Sequence, residues 1–261
     1  MNSALWVSKT GLSAQDTALR AISNNLANVG TVGFKKDRAV FEDLVYQINQ
    51  QPGAQATQDD TLPSGVQLGT GVRVASTQKQ FSIGSLQTTE RSLDVAIEGR
   101  GFFQVSMPDG SVGYTRNGSF SINQDGQLVT PQGYALEPAV NIPQGSTALT
   151  IGRDGTVSVV VAGEPTSTQV GNLQLVDFIN PTGLQAVGGN LFKETVASGA
   201  ALQATPGQNG VGQTVQGMLE ASNVSVVEEM VNMVATQRAY EMNARVVSTA
   251  DQMLQYIAQN I

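Results

Sequence analysis

The sequence predicts an α+β fold in which two long terminal helices flank an inserted, mainly antiparallel β domain. Apolar residues recur with heptad spacing at both ends of the chain, over residues 3–29 and 225–259. Between these segments, Asp-Gly and Asn-Gly pairs separate short apolar runs, a pattern typical of β-hairpins. We expect these hairpins to form a small sandwich or barrel. A polar stretch rich in proline and glycine, residues 45–66, predicts an extended arm.

The first helix is predicted over residues 3–29, where leucines recur every seven residues. Gly11 lies inside this pattern and weakens the helix by ~1 kcal/mol relative to alanine. We predict that Gly30 and Gly33 end the helix, because glycine readily adopts the left-handed conformation found at many helix ends. The residues predicted to form its assembly interface are Leu5, Leu12, Leu19, Ile22, Leu26 and Val29.

The second helix is predicted to begin at Ser225, which forms an S-x-x-E capping box with Glu228. Steps of four and three residues from Val226 give a long apolar line, and this repeat is typical of a coiled-coil seam. Other valines and methionines lie beside the line, so the apolar face is wider than one partner helix can cover. Its predicted assembly residues are Val226, Met230, Met233, Tyr240, Val247 and Leu254.

Heptad helices at the two ends of one chain predict an antiparallel coiled-coil stalk that carries the middle of the chain as an insertion. Two simpler alternatives remain open: each helix packs separately on the β region, or the C-terminal helix is the buried centre of a globular domain. The predicted division is an assembly domain (1–32 with 222–261), an arm and connecting β region (33–91), an outer β domain (92–200) and a return linker (201–221).

Composition excludes several classes of function. The formal charge of −7 argues against a nucleic-acid partner, which needs a basic face. The chain has no cysteine and no histidine, which removes disulfides, thiolate nucleophiles, Ser-His-Asp triads and His-ligated zinc. We therefore expect no cofactor and no metal. No apolar run reaches the ~20 residues of a membrane span, and we expect export without a cleaved signal peptide.

Carboxylate pairs are the enzymatic chemistry that this composition leaves open. Glu90, Asp94 and Glu98 are close in sequence, and a glycan-acting enzyme needs two acids flanking a groove. We expect Asp94 and Glu98 to face solvent on a strand, and we predict that the chain is not an enzyme. A basic cluster lies elsewhere, at Lys35, Lys36 and Arg38. We hypothesise that it pairs with Glu228 and Glu229 of a neighbouring helix start.

Two blocks of sequence carry a family resemblance. The block ISNNLANVGTVGFKKDRAVFEDL at 22–44 resembles the N-terminal signature of the bacterial flagellar rod and hook proteins. The block EASNVSVVEEMVNMVATQRAYEMNARVVSTADQML at 220–254 is similar to the C-terminal signature of that family, and SLDVAIEGRGFFQV at 92–105 also resembles a family block. The resemblance implies a structural protein that polymerises through its terminal helices around a hollow axis.

A short motif in the arm distinguishes members of this family. Its residues are Gln50, Gln51, Pro52, Gly53, Ala54 and Gln55. The motif resembles an insertion that separates the distal rod protein from the hook protein and is linked to a straight, stiff rod. The resemblance therefore favours a subunit of the distal rod, with a proximal rod or hook protein as the alternative.

The resemblance also implies partners and a location. The implied partners are further copies of the chain, proximal rod proteins, the hook protein, the P- and L-ring proteins and the flagellar type III export apparatus. The implied location is the flagellar basal body, from the periplasm to the outer membrane. Outside this family, a phage-tail-like tube protein and a glycan-acting enzyme remain as alternatives.

Overall fold

The chain folds into two structural units. Both terminal segments of the chain belong to the same unit. The computed structural model describes residues 3–53, 63–163 and 166–259. We call the unit made of Met1–Leu26, Asp37–Gln78 and Ser225–Ile261 the helical unit. The unit made of Ala27–Lys36 and Lys79–Val224 is the β unit.

The helical unit contains the two predicted helices, α1 (Ser3–Ala27) and α2 (Val226–Gln259). Helix α1 ends two residues earlier than predicted, because the backbone N–H of Thr31 bonds to the Asn28 carbonyl at 3.1 Å and closes a turn there. Gly33 has a positive φ of 68°, but it lies beyond this turn.

Four strands accompany the helices: β1 (Asp37–Asp43), β2 (Tyr46–Gln50), β3 (Val66–Gly69) and β4 (Val72–Lys79). Strand β1 pairs with β4, and β2 pairs with β3 in antiparallel register, with Tyr46 opposite Gly69. Every side chain of β2 and β3 is exposed. A two-stranded hairpin of this kind is marginal by itself in water, so β2 and β3 need a further contact to be stable.

The β unit contains a large sheet and several short strand pairs. Its strands are β5 (Leu86–Thr88), β6 (Val95–Glu98), β7 (Phe102–Ser106), β8 (Val112–Thr115), β9 (Ser121–Ile122), β10 (Leu128–Val129), β11 (Leu136–Glu137), β12 (Ser146–Ile151), β13 (Thr156–Val161), β14 (Thr168–Asn172), β15 (Leu175–Asp177), β16 (Gln185–Gly188), β17 (Leu191–Lys193), β18 (Leu202–Ala204), β19 (Gln213–Gln216) and β20 (Met218–Glu220), and a 3-10 turn spans Pro181–Gly183.

The large sheet has the order β16-β17-β8-β7-β15-β18, with β11 also paired to β7. Strands β12, β13 and β14 form a second sheet, and the pairs are β6 with β19, β5 with β20 and β9 with β10.

Three of the four predicted Asp-Gly or Asn-Gly turns join consecutive antiparallel strands. Gly110, Gly126 and Gly155 have φ of 76°, 80° and 82° in these hairpins. Gly118 serves another purpose, because a Cβ built there would overlap the carbonyl oxygen of Val95. At Gly118 the chain therefore needs glycine for close backbone approach and not for a hairpin.

Several strands of the β region pair with partners that are distant in the sequence. Strands β6 and β7 lie on either side of Gly99 and Gly101, but they do not pair with each other: β6 pairs with β19, while β7 pairs with β8, β11 and β15. The predicted return linker, 201–221, contains β18, β19 and β20, each paired with an earlier strand. Glycine and proline lie in the turns between these short strands. Because the segment is rich in both residues, the sequence pattern predicted a linker and not strands.

Two apolar clusters form the core of the β unit. The larger includes Val95, Phe103, Val157 and Leu175, all fully buried. The ring of Phe103 packs edge-on against Phe120 with centroids 5.1 Å apart. The smaller cluster consists of Phe102, Tyr114, Val176, Phe178, Leu184 and Phe192. Most apolar side chains of the paired strands are therefore already covered within the unit.

Candidate assembly surface

A buried asparagine connects the two helices. The Asn25 side chain donates from Nδ2 to Glu229 Oε2 at 3.3 Å and to the Asp37 carbonyl at 2.8 Å. Its Oδ1 accepts from the Asp37 backbone N–H at 2.8 Å. Both Asn25 and Glu229 are buried. The Asn25 amide thus forms hydrogen bonds through both its nitrogen and its oxygen. These bonds link α1 to α2 and to the start of β1.

A second helix contact lies at Gly11. A Cβ built on Gly11 would come within 3.0 Å of Asn243 Nδ2, so glycine permits a close approach here. Gly11 precedes Asn25 by two heptads, whereas Asn243 follows Glu229 by two heptads. The helices therefore run in opposite directions between these contacts, and polar groups occupy both contact points.

The face of α2 that is turned inward differs from the predicted apolar line. Glu229 and Ala250 are buried, and Asn243, at a heptad-related position between them, is half-buried. Of the predicted α2 interface residues, Met233 and Val247 are half-buried. The other four are exposed: Val226, Met230, Tyr240 and Leu254. Two of the six predicted residues thus lie on the inward side of α2, and the hydrogen bond to α1 comes from a neighbouring, more polar stripe.

An apolar surface remains uncovered on α2. We define the outward face by Val227, Met230, Val231, Val234, Ala235 and Arg238. Val231 is 63% exposed and Met230 is 55% exposed. All of these residues except Val227 line a shallow groove of about 350 Å³. Side chains of this kind and number are a feature of protein-binding surfaces.

The predicted α1 residues are covered to different degrees. Ile22 is buried, and Val29 is exposed beyond the end of the helix. The four heptad leucines, Leu5, Leu12, Leu19 and Leu26, are half-buried. Beside them, the backbone N–H of Val72 donates to Thr10 Oγ1 at 3.3 Å, so α1 also contacts the start of β4. Helix α1 therefore has partners on two sides within its own unit.

The residues predicted as caps lie at the ends of the helices or beyond. The Ser225 hydroxyl accepts from the Glu228 backbone N–H at 3.5 Å, and the Ser225 carbonyl accepts from the Glu229 N–H at 3.0 Å. Gly30 lies within the turn after α1. The backbone N–H of Gly33 donates to the Glu220 carbonyl at 2.7 Å within the β unit. Gly33 therefore positions the chain after the turn.

The predicted arm, 45–66, contains β2, and its motif at 50–55 begins at the end of this strand. Gln50 is the last residue of this strand, and Gln51, Pro52 and Gly53 follow in an exposed turn. Ala54 and Gln55 lie outside the described residues. The hairpin that leads into the arm exposes several large apolar side chains, namely Val45, Tyr46, Ile48, Val66 and Leu68.

The basic cluster after α1 has a role that the sequence did not reveal. Lys35, the first residue of the cluster, is buried, with a side chain that is 1% exposed. Its Nζ contacts Glu220 Oε1 at 2.5 Å and donates to the Ser82 carbonyl at 2.7 Å. Arg116 Nη2 lies 2.7 Å from the second oxygen of Glu220. Lys35 therefore takes no part in the hypothesised pairing of the basic cluster with Glu228 and Glu229.

We call Lys35, Glu220 and Arg116 the buried ion group. Arg116 also donates from Nη1 to the carbonyls of Gly99 and Gly101 at 2.9 and 2.6 Å. Burial lowers the pKa of Lys35 from its ordinary value, and the charge of Glu220 opposes part of this shift. Burial also lowers the pKa of Arg116. The group joins segments that are far apart in sequence, which explains why no local motif indicated it.

The acids considered for glycan chemistry do not form an accessible pair. Glu98 is exposed, but Asp94 is 1% exposed, so the expectation that Asp94 faces solvent was wrong. A buried carboxylate cannot reach a polysaccharide in a groove. Among the described residues, no cluster of acidic side chains has a geometry suited to a metal ion.

None of the helices in the described part of the chain is both long enough and apolar enough to cross a membrane.

Known proteins resemble this chain over its whole length. The Flagellar basal-body rod protein FlgG of Buchnera aphidicola subsp. Schizaphis graminum is 55% identical over 98% of this chain and 98% of the relative. The chain belongs to the flagellar basal-body rod protein family. Relatives of the same name in this family are 46% identical in Borreliella burgdorferi and 38% identical in Bacillus subtilis, covering 100% and 97% of this chain, and 99% and 96% of the relatives.

Family profiles match three separate parts of this rod family member. The profile described as Flagella basal body rod protein matches residues 5–35, which include most of α1. The Flagellar hook protein FlgE/F/G D1 domain matches 96–159 in the β unit, and the Flagellar basal body rod FlgEFG protein C-terminal profile matches 215–260. The matched segments contain the helix contacts at Gly11, Asn25 and Asn243, and all three members of the buried ion group.

Proposed function

We propose that the chain is a structural subunit of the distal rod of the flagellar basal body and that it polymerises into a straight, hollow shaft that transmits torque to the hook. Full-length similarity to rod proteins supports this role. Within Bacillus subtilis, the rod protein is 38% identical to this chain, whereas the hook-basal body complex protein FlhP is 32% identical. This difference favours the rod over another axial position.

The single observation that carries the mechanism is the outward face of α2. Burying a valine or methionine side chain contributes ~1.5–3 kcal/mol. Association of two proteins costs about 4–15 kcal/mol in lost freedom of motion. One such side chain is too little to drive assembly, whereas the row Val227, Met230, Val231 and Val234, all exposed, offers a contribution of the same order as this cost, ~6–12 kcal/mol. The outward face is therefore the proposed contact with neighbouring copies.

The helix pair of one chain is the proposed building block of this assembly. An antiparallel coiled coil of α1 and α2, held at Asn25–Glu229 and Gly11–Asn243, presents its apolar residues to other copies. In this arrangement the predicted seam residues Val226, Met230, Tyr240 and Leu254 serve contacts between chains. The half-buried leucines of α1 and the side chains of Met233 and Val247 serve contacts within the chain.

Electron microscopy of the purified chain at high concentration tests the proposal. We expect straight hollow tubes from the natural sequence and none from the double variant Val231→Asp, Val234→Asp. Val196→Asp is the matched control, because Val196 is a fully exposed valine of the β unit. Tubes formed by the double variant, or loss of tubes in the control alone, would show that the outward face is not the assembly surface.

The arm is the proposed source of rod stiffness. The β2–β3 hairpin has an apolar surface that a neighbouring copy can cover. It is formed by the exposed side chains of Tyr46, Ile48, Val66 and Leu68. Deletion of about residues 50–61 is expected to leave the helical contacts intact but to give curved tubes. Straight tubes after this deletion would exclude a role of the arm in stiffness.

The remaining partners follow from the proposed position. A distal rod subunit meets proximal rod proteins at one end, the hook protein at the other, and the P- and L-ring proteins at its periphery. It reaches this place through the type III export apparatus, between periplasm and outer membrane. Stepwise co-purification of assembled basal bodies with the tagged chain would test each of these contacts.

A further inference from the structure

A small cavity in the β unit brings three cationic side chains together. Lys35, Arg100 and Arg116 line it, with Asp177 as the acidic residue among the lining residues and an aromatic wall from Phe81 and Phe102. Its volume is about 50 Å³. This is room for a few water-sized groups, and it is far too small for a nucleotide or sugar.

The charges around the cavity do not cancel. Arg100 and Asp177 form a pair with Nη2 and Oδ2 3.1 Å apart, which balances one positive and one negative charge. The buried ion group has two cations and one carboxylate, because Lys35 and Arg116 share Glu220. The three side chains of this group are 1–4% exposed. A buried excess charge is costly unless an opposite charge compensates it.

Donor capacity identifies where such compensation can occur. The Glu220 carboxylate is occupied on both oxygens, by Lys35 and the Gly84 N–H on one and by Arg116 on the other. The Lys35 ammonium has three protons and bonds to Ser82 and Glu220. Arg100 is largely exposed at the rim of the cavity and carries five N–H groups. Lys35 and Arg100 therefore supply the donors available to a further acceptor.

We propose that this cavity binds one small singly charged anionic group, a halide ion or a carboxylate. Lys35 contributes the buried charge, and Arg100 closes the site from the solvent side. The ligand neutralises the excess positive charge of the buried ion group and thereby stabilises the β unit. In a chain of net charge −7, a carboxylate can also come from a second copy, so a free anion and a neighbouring side chain share one chemistry.

Thermal unfolding of the full-length chain at constant ionic strength tests the site. Sodium gluconate is replaced stepwise by sodium chloride or sodium formate, since gluconate is too large for the cavity. We expect the unfolding midpoint to rise in a saturable way with chloride and formate. Arg100→Met should abolish at least half of this rise. Arg73→Met is the matched control, because Arg73 forms an exposed pair with Glu42, and it should retain the whole rise.

A direct measurement of binding, made below the unfolding midpoint of each variant, does not depend on differences in stability. Binding broadens the chlorine-35 NMR signal of chloride, and this broadening should be lost in Arg100→Met and Lys35→Met but kept in Arg73→Met. The proposal is overturned if chloride and gluconate give the same midpoints, or if both cavity variants retain full broadening and the full rise of the midpoint.

Measurements on assembled tubes distinguish the two sources of the anion. This part of the test alone rests on the proposed function. Loss of chloride broadening on assembly would identify a carboxylate of a second copy as the ligand in the polymer. Broadening that persists after assembly would identify a free anion. Either result supports the anion site, whereas absence of broadening in both monomer and tubes excludes it.

Discussion

The β unit buries most of its large apolar side chains, whereas the helical unit leaves many of them exposed. Phe103, Val157 and Leu175 are fully buried in the β unit, whereas Val231 and Met230 on α2 remain exposed. The sheets of the β unit cover one another's apolar residues, while α2 has polar contacts to α1 and an apolar face without a partner in the described chain. The β unit therefore covers most of its own apolar residues, whereas the helical unit leaves an apolar face of α2 exposed.

The buried polar groups of the two units differ as well. In the helical unit, Asn25 and Glu229 form one hydrogen bond between α1 and α2. In the β unit, Glu220 pairs with two cations. Polar groups of the first kind fix the register of paired helices at a cost in stability. We infer that Asn25 fixes which residues of α2 lie against α1, and Met230 and Val231 stay exposed.

The largest expected effect is in the core of the β unit. Phe103→Ala should lower the free energy of unfolding by about 3–5 kcal/mol, because it leaves a cavity at a fully buried position. Met230→Ala should change the free energy of unfolding of the monomer by less than ~0.5 kcal/mol, since its side chain is exposed. Hydrogen exchange of the β-unit and α2 amides measures both. Equal destabilisation by the two variants would contradict the comparison.

The next effect concerns the buried ion group. Glu220→Gln should destabilise the β unit by ~3 kcal/mol, because Lys35 and Arg116 then remain buried without a counter-charge. Glu42→Gln is the matched control: the pair of Glu42 with Arg73 is exposed on both sides, and such pairs contribute about 0–1 kcal/mol. Urea unfolding followed by near-ultraviolet circular dichroism gives both values. A stable Glu220→Gln variant would mean that Gly84 and Ser82 suffice to hold this region.

A smaller effect is expected at the helix contact. Asn25→Ala removes the hydrogen bonds to Glu229 and Asp37 and should cost about 1–3 kcal/mol of local stability. Trp6 is the single tryptophan and lies on α1, so its fluorescence reports when the helices separate in urea. Gln237→Ala, on the exposed side of α2, serves as the control and should leave the transition unchanged.

The smallest effect is electrostatic and confined to a turn. The Thr156 hydroxyl donates to Asp154 Oδ2 at 2.7 Å, and this hydrogen bond, aided by the Thr156 backbone N–H, lowers the pKa of Asp154 from its ordinary value of 3.8. A lowered pKa in the folded state means that the stabilisation is present above the ordinary pKa and is lost as the pH falls through the folded value. The difference in stability between the natural chain and Asp154→Asn should therefore shrink below about pH 4. NMR titration of the Asp154 carboxyl should show that its pKa is lowered less in Thr156→Val than in the natural chain.

Much of the helical architecture could be predicted from the sequence. The heptad leucines and the capping serine predict α1 and α2 to within two residues at the described ends, because period and caps are local properties. Three Asp-Gly turns were likewise correct. The pairing of β6 with β19 could not be predicted, since partners separated by more than a hundred residues leave no periodic signal between them.

The candidate assembly surface was predictable only in part. The sequence identifies Val226 and Met230 as apolar residues on one side of a long helix, yet it also offers a second stripe through Glu229 and Asn243. Repeat spacing gives both stripes equally, so it cannot say which stripe faces the partner helix. Hydrogen bonds to Asn25 and close approach at Gly11 select the polar stripe.

The amino-acid order alone determined that both ends of the chain are helical, that they carry apolar heptads and that the chain belongs to an axial flagellar family. Only the folded chain shows which side of α2 is turned away from α1 and that Lys35 is buried with Glu220, a partner 185 residues away. The physical reason is the range of the interactions. Helix period and turn chemistry act over a few residues, whereas burial and charge pairing depend on segments that meet only after the chain has folded.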